Sequence, residues 1–336
     1  MGGSTGGTGS SGLGRIAFLG TGAFAVPLLA RVADIADELL VVSQPDRPAG
    51  RGLRSRAAPV AAWAREHGQD LTTPQRLRSD EARSLLRDFA PDGLLLAAYG
   101  QLVPPDLLDL APRPPLNVHP SLLPRHRGAA PVAATILAGD QVAGVTLMVM
   151  TAELDAGPIV AQWPVTVSGR ETTPELEARL AELAAAVVPP ELERWASRSR
   201  SGGLATQPQD ESHATLVRPF TRRDGWIDWR RSAVEIDRQV RALQPWPGAW
   251  TTLDGRRLHV RRAVPEPGVD DVPIGALLPG PMPLVACGVG ALALEVVQPE
   301  GRPAMAAEAW RRGLPRQHVL LGAAPPAAEP DVDERA

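Results

Sequence analysis

Residues 116–131 read LNVHPSLLPRHRGAAP, and several side chains able to do chemistry crowd into them. Asn117 and His119 are two apart, so in a strand both side chains fall on one face. Pro120 then ends the strand, because proline cannot donate to a ladder. Asn117 is the only asparagine in the chain. An acidic turn, Glu153-Leu154-Asp155-Ala156-Gly157-Pro158, places Asp155 36 residues after His119. A hydrolase triad built on these residues would need a nucleophile. Ser121 is close by, but no nucleophile elbow surrounds it. A metal centre would need more ligands than His119 and His126, which are seven apart with no cysteine beside them, so no metal is expected. Acyl-type transfer without a covalent intermediate remains. In that chemistry Asn117 donates to a developing oxyanion, His119 polarises or moves a proton, and Asp155 orients His119 and stabilises its cationic form.

The elements that must position these residues are legible from hydrophobic patterning. Arg15–Gly20 reads as a buried strand, Ala23–Val32 as a helix and Leu39–Val42 as a second strand, the opening of a parallel α/β sheet. Helices follow at Ala57–His67 and Glu81–Ala90, and Leu94–Ala98 is a continuous apolar run typical of a central parallel strand. Strands are expected at Pro115–Val118, Val145–Met150 and Ile159–Val167, with a helix at Pro131–Leu137. A long helix over Thr173–Ser199 is broken near Pro189-Pro190. His119 and Asp155 both follow strands of this inferred sheet, so both are expected at its carboxyl ends, which converge on one crevice. Beyond residue 213 the pattern changes to a helix at Ser232–Leu243 and short strands at Ala249–Leu253, Arg257–Val264, Pro283–Cys287 and Leu292–Gln298. These read as a small β-barrel.

Two stretches invite other readings. Gly20, Gly22 and Ala25 fit the G-x-G-x-x-G/A dinucleotide fingerprint, with Asp46 24 residues after Gly22. A lone match of this kind is weak and Pro27 close behind is unusual for the fingerprint helix, so a tight glycine turn at the carboxyl end of the first strand is the better reading. Residues 44–56 hold Pro, Gly and four arginines, at 47, 51, 54 and 56. That is a basic loop, either a solvated surface or an arm that meets a polyanion.

Composition narrows the classes. The chain has 336 residues, 44% hydrophobic and 22% charged, with a net charge of −3, which fits a two-domain globular protein. There is no lysine, so Schiff-base and lysine-nucleophile chemistry are excluded and every basic contact falls to the 35 arginines. The single cysteine, Cys287, excludes an internal disulfide and suits a cytoplasmic protein. It sits in the apolar run LVACGVG and is expected to be a buried structural thiol. No apolar run is long enough to span a bilayer, so no membrane partner is expected. Residues 1–14 read as a flexible leader, 15–199 as the catalytic domain and 200–213 as a linker. Residues 214–322 form the barrel domain and 323–336 a disordered tail. Residues 1–213 carry 19 Arg against 23 acidic residues, whereas 214–322 carry 15 Arg against 11. The barrel is thus the expected side for a polyanion.

The segments Asn117–Pro124, Arg127–Pro131 and Leu154–Pro158 together resemble the signature of the 10-formyltetrahydrofolate-dependent formyltransferase family. The resemblance runs from about Arg15 to Gly322. It implies a Rossmann-like parallel-sheet formyltransferase domain followed by a smaller OB-like β-barrel domain. It also implies Asn117, His119 and Asp155 as the catalytic set and Ser121, Leu122, Leu123 and Pro124 as the folate-binding stretch. The glycine turn would then border the active crevice and hold no dinucleotide, so neither NAD nor a metal is implied. The loop Gln44–Gly52, the Ile227-Asp228-Trp229 segment and the Pro245–Trp250 segment resemble family members that formylate methionine on initiator tRNA. In these, Arg47 and Arg51 would face the tRNA, and a monomer is expected. The chain departs from the family pattern in reading Leu53-Arg54 where two lysines are usual. Its first turn is also Gly-Thr-Gly-Ala instead of Gly-Thr-Pro plus an acid. Related acceptors that the same trio would serve are a nucleotide-linked amino sugar and water. A non-catalytic RNA-binding barrel would leave the trio without a role.

Overall fold

The computed structural model describes residues 12–49, 54–198, 203–268, 271–314 and 319–322. Most of the expected leader and the whole of the expected tail therefore lie outside the described residues. The chain forms two compact units. One comprises residues 1–129, 143–165 and 177–216, and the other residues 130–142, 166–176 and 217–336.

In the first unit the strands are β1 (Arg15–Gly20), β2 (Glu38–Val42), β3 (Arg47–Ala49), β4 (Arg54–Arg56) and β5 (Asp70–Thr72). They continue with β6 (Gly93–Ala97), β7 (Leu116–His119), β8 (Arg127–Gly128), β9 (Val142–Val149) and β10 (Ile159–Thr166). The main sheet has seven strands in the order β10-β9-β7-β6-β1-β2-β5. From β5 to β7 every pairing is parallel, which is the Rossmann-like core the sequence predicts. Helices α1 (Ala25–Ile35), α2 (Pro59–Glu66) and α3 (Asp80–Phe89) form between these strands. Helix α3 has full end chemistry. Ser79 Oγ accepts from the Ala82 amide, Asp80 and Glu81 occupy the first turn, and Ala90 closes the helix in the left-handed conformation. The central strands are buried on both faces, as continuous apolar runs require.

The long helix expected over 173–199 is two helices, Thr173–Val187 and Pro189–Arg198, because Pro189 has no amide hydrogen to continue the first. The second carries Trp195, which is fully buried. Its indole donates to the Pro114 carbonyl at 3.1 Å. A Cβ added to Gly93 would lie 2.0 Å from the Trp195 ring, so the glycine at the start of β6 is what admits the tryptophan.

Two local expectations need correction. Strand β9 runs antiparallel to β7, with Leu116 opposite Val149 and His119 opposite Thr146. Asp155 therefore does not leave the same end of the sheet as His119. The basic stretch 44–56 is also not wholly irregular, since β3 and β4 pair as an antiparallel hairpin.

In the second unit the described elements after residue 217 include the helices Ala233–Ala242 and Ala307–Arg312 and a five-stranded antiparallel sheet. Its strands are Ala249–Leu253, Arg256–Glu266, Leu284–Ala286, Ala291–Pro299 and Met305–Ala306. This is the antiparallel architecture of a smaller barrel-like domain. The first helix starts with a reciprocal capping box between Ser232 and Glu235. Ile236 and Val240 on the helix join Leu258, Val260, Leu292 and Leu294 of the sheet in one apolar core. The register shifts between Val260 and Ala263. A bulge of this kind bends and twists a strand.

Cys287 is buried in that core, and burial pushes its thiol up to about 12. Only the thiolate is nucleophilic, so the native protein should leave Cys287 unmodified by a thiol reagent at neutral pH. Unfolding in denaturant should expose one reactive thiol per chain. Rapid labelling of the native protein would contradict this packing.

Candidate functional site

Asn117 and His119 sit on β7 with one residue between them, and both are buried. The turn after β9 folds back toward β7, and Asp155 lies in it with φ +50°, the left-handed region. Short acidic and amide side chains tolerate this conformation better than most residues. Gly157 allows the return. A Cβ there would lie 1.8 Å from the Val149 carbonyl oxygen, and the Val149 amide donates to the Pro158 carbonyl at 2.9 Å. The three residues singled out by the sequence are thus brought together, although not by the route expected.

The Asp155 carboxylate is almost fully enclosed, at 10% side-chain exposure. Its Oδ1 accepts from Asn117 Nδ2 at 3.2 Å and its Oδ2 from the Gly128 amide at 2.8 Å. His119 Nδ1 lies 3.6 Å from Oδ2. On its other side His119 Nε2 lies 3.0 Å from the His126 carbonyl oxygen. A carbonyl can only accept, so Nε2 carries a hydrogen and the ring tautomer is set by the backbone. Nδ1 is then the nitrogen that takes or releases a proton, next to a carboxylate. Asn117 Oδ1 is buried and meets no partner among the described residues. A buried acceptor without a donor is costly, and such atoms mark places where a substrate group can bind.

The Ser121–Pro124 stretch is held from beneath. Thr146 Oγ1 donates to the Ser121 carbonyl at 2.6 Å and accepts from the Leu123 amide at 3.1 Å. Gln162 Nε2 donates to the Leu123 carbonyl at 2.8 Å. Ser121 Oγ donates to the Arg125 carbonyl at 2.7 Å. Leu122 packs over Gly144, where a Cβ would come within 2.4 Å of its side chain.

The glycine turn directs its donors into the fold. The Thr21 and Gly22 amides both donate to the Ala98 carbonyl at 3.1 Å, and Thr21 Oγ1 donates to the Tyr99 carbonyl at 2.8 Å. Arg47 begins the hairpin strand β3, and Arg51 lies outside the described residues. Among the described residues no cluster of histidine, cysteine or carboxylate side chains is placed to hold a metal ion.

One supporting set was not legible in the sequence. The stretch expected as a linker runs back over this unit. Gln207 bridges Ile159, and Thr215 exchanges backbone bonds with Pro124 and Arg127. Leu216–Val217 pairs with β8. Within this stretch Gln209 and Glu211 hold Arg127. Polar, glycine-containing sequence gives no local sign of this, because every partner lies more than forty positions away.

Known proteins share this arrangement of domains. Residues 14–192 match the Formyl transferase family and residues 219–315 match the Formyl transferase, C-terminal domain family. The chain is 42% identical over 319 residues to the methionyl-tRNA formyltransferase of Anaeromyxobacter dehalogenans, across 92% of this chain and 99% of that one. It is 40% identical over 299 residues to the methionyl-tRNA formyltransferase of Thermus thermophilus, across 89% and 96%. Among solved structures, the sugar 3N-formyl transferase WlaRD shares the fold with a TM-score of 0.60 at 14% identity, across 87% of this chain and 99% of that one. Matched along both of its domains and across nearly its whole length, the chain belongs to the formyl transferase family.

Proposed function

We propose that this protein transfers the formyl group of 10-formyltetrahydrofolate to the α-amino group of methionine on initiator tRNA. The single observation that carries the reading is the near-full-length identity to methionyl-tRNA formyltransferases, 42% over 319 residues in one case. Asn117, His119 and Asp155 are the catalytic residues in this reading. Their support is the buried cluster they form, with Asp155 bonded to Asn117 and His119 held between Asp155 and a carbonyl.

Free α-amines titrate near about 8, so a neutral fraction of the substrate amine exists at neutral pH. Its nitrogen lone pair attacks the formyl carbon and the formyl oxygen becomes an oxyanion. Asn117 has two amide hydrogens, one used on Asp155, which leaves the second for that oxygen. Asn117 Oδ1 can accept a hydrogen from the incoming amine. The proton the amine loses has a place on His119 Nδ1, where Asp155 faces it. Collapse of the tetrahedral intermediate then breaks the bond to N10 of tetrahydrofolate, which takes the proton held on His119 Nδ1 and leaves as the neutral N10–H amine. Ser121, Leu122, Leu123 and Pro124 form the wall against which the folate lies.

The tRNA would be met by the basic stretch 44–56, through Arg47 and Arg51, and by the second unit. There the strand Arg256–Glu266 carries arginines 256, 257, 261 and 262. Burial, with Arg261 and Arg257 nearby, pushes His259 down to about 4, so at neutral pH the arginines carry the positive charge of that strand. The Arg257 guanidinium stacks over Trp250 at 4.4 Å. Guanidinium groups suit phosphate contacts that do not depend on sequence. No described helix is long and apolar enough to cross a membrane. A monomer in the cytoplasm completes the proposal, the single cysteine being consistent with a reducing compartment.

Incubation with 10-formyltetrahydrofolate and methionyl-initiator tRNA should yield formylmethionine. Transfer to a nucleotide-linked amino sugar instead, or release of formate to water alone, would overturn the reading. Asp155→Asn should lower kcat by about 10³-fold with tRNA affinity unchanged; a large loss of tRNA binding would contradict the role. Arg51→Ala should reduce kcat/KM for tRNA by about tenfold and leave the KM for the formyl donor alone. Unaltered tRNA kinetics would remove the basic stretch from the reaction.

A further inference from the structure

We infer that Gln209 is a positioning residue for the Asp155 carboxylate and that Arg127 and Glu211 hold it in place. The inference rests on the role proposed above for Asp155. Gln209 Nε2 donates to the Asp155 carbonyl at 2.8 Å and to the Gly157 carbonyl at 2.7 Å. Its Oε1 accepts from Arg127 Nε at 3.0 Å and from Arg127 Nη2 at 2.8 Å. Both amide hydrogens and both oxygen lone pairs are therefore used, and the amide has one orientation that satisfies them. Arg127 is gripped on its other edge by Glu211, Nη1 to Oε2 at 2.9 Å and Nη2 to Oε1 at 2.7 Å. The hydrogen bond from Arg127 holds the Glu211 carboxyl below its ordinary range.

The geometry gives this clamp a direct effect on the carboxylate. Asp155 has a left-handed backbone, a conformation that persists only where the surroundings fix it. Gln209 fixes the carbonyl of Asp155 itself and the carbonyl two residues on. With both set, the direction of the Asp155 Cβ is set as well, and with it the approach of Oδ2 to the Gly128 amide at 2.8 Å. Arg127 and Gly128 are adjacent, so the same brace locates the donor and the acceptor of that bond. An amide is required at 209. A glutamate would turn two donors aimed at carbonyls into acceptors facing acceptors.

The test compares wild type, Gln209→Glu, Gln209→Ala and each change combined with Asp155→Asn. In each, kcat, both KM values, melting temperature and the ring-nitrogen NMR resonances of His119 are measured. Displacing a reacting group by about 1 Å costs about 100-fold in rate, so kcat should fall about 100-fold in the Glu variant. In the Ala variant, which introduces no charge, it should fall about tenfold. Both KM values should stay within about twofold, and the His119 resonances should shift. In the Asp155→Asn background the Gln209 changes should add less than about twofold, because residues acting through one group are not additive. Gln209→Ala carries the same readouts as the Glu variant, so poor folding of the latter leaves the test intact. Unchanged kcat with unshifted His119 resonances, losses confined to KM, or a full further loss in the Asp155→Asn background would overturn the inference. A wild-type protein that does not formylate methionyl-tRNA would sink the proposed function. The His119 resonances would still decide whether Gln209 sets the Asp155 turn.

Discussion

A buried carboxylate governs the organisation of the first unit. An ionised Asp155 at 10% side-chain exposure is tolerated only where donors replace the water it has lost. Asn117 and the Gly128 amide supply two of these donors, and His119 adds a proton-carrying partner once its Nδ1 is protonated. None of these is a neighbour of Asp155 in sequence. The fold can therefore be read as the apparatus that carries β7, β8 and the 150–158 turn to one point. The antiparallel run of β9 lets that turn come back toward β7. Gly157, with its Cβ position filled by the Val149 carbonyl, makes the return sterically feasible.

The backbone does much of the work usually credited to side chains. The His126 carbonyl sets the His119 tautomer, the Gly128 amide holds one carboxylate oxygen, and the carbonyls of Asp155 and Gly157 are the handles by which the turn is held. His126 is itself in the left-handed region, at φ +60°, so two of the residues around His119 have backbones that open solution would not favour. Backbone groups cannot be altered by ordinary substitution. Their placement depends on glycines and on polar side chains one layer out, such as Thr146, Gln162 and Gln209.

Much of this was legible in the sequence, and what was not has a physical reason. The central strands announced themselves as apolar runs, and the trio announced itself by residue type and by the two-residue spacing of Asn117 and His119. Spacing along one strand carries over directly into space because the strand period is two. Strand direction does not, since an apolar run reads the same either way. That is why β9 was expected to be parallel to its neighbour and is not. The hairpin inside the basic loop was hidden because arginine and proline are poor strand indicators. The bracing role of Gln209 was hidden because polar residues between domains look alike whether they are solvated or bonded to a turn fifty positions earlier.

The position of that brace bears on how the chain divides into parts. The two matched regions end at residue 192 and begin again at residue 219, and Gln209 falls in the gap. A boundary drawn by homology would give one part Asn117, His119 and Asp155 and would discard the side chains bonded to the Asp155 turn. During synthesis the same order holds in time. β7 and the Asp155 turn leave the ribosome first, and the turn is clamped only after the chain has grown through residue 211. The stretch between the domains is thus the last piece of the first one to arrive. Transplanting the catalytic unit onto another partner would have to carry that stretch along.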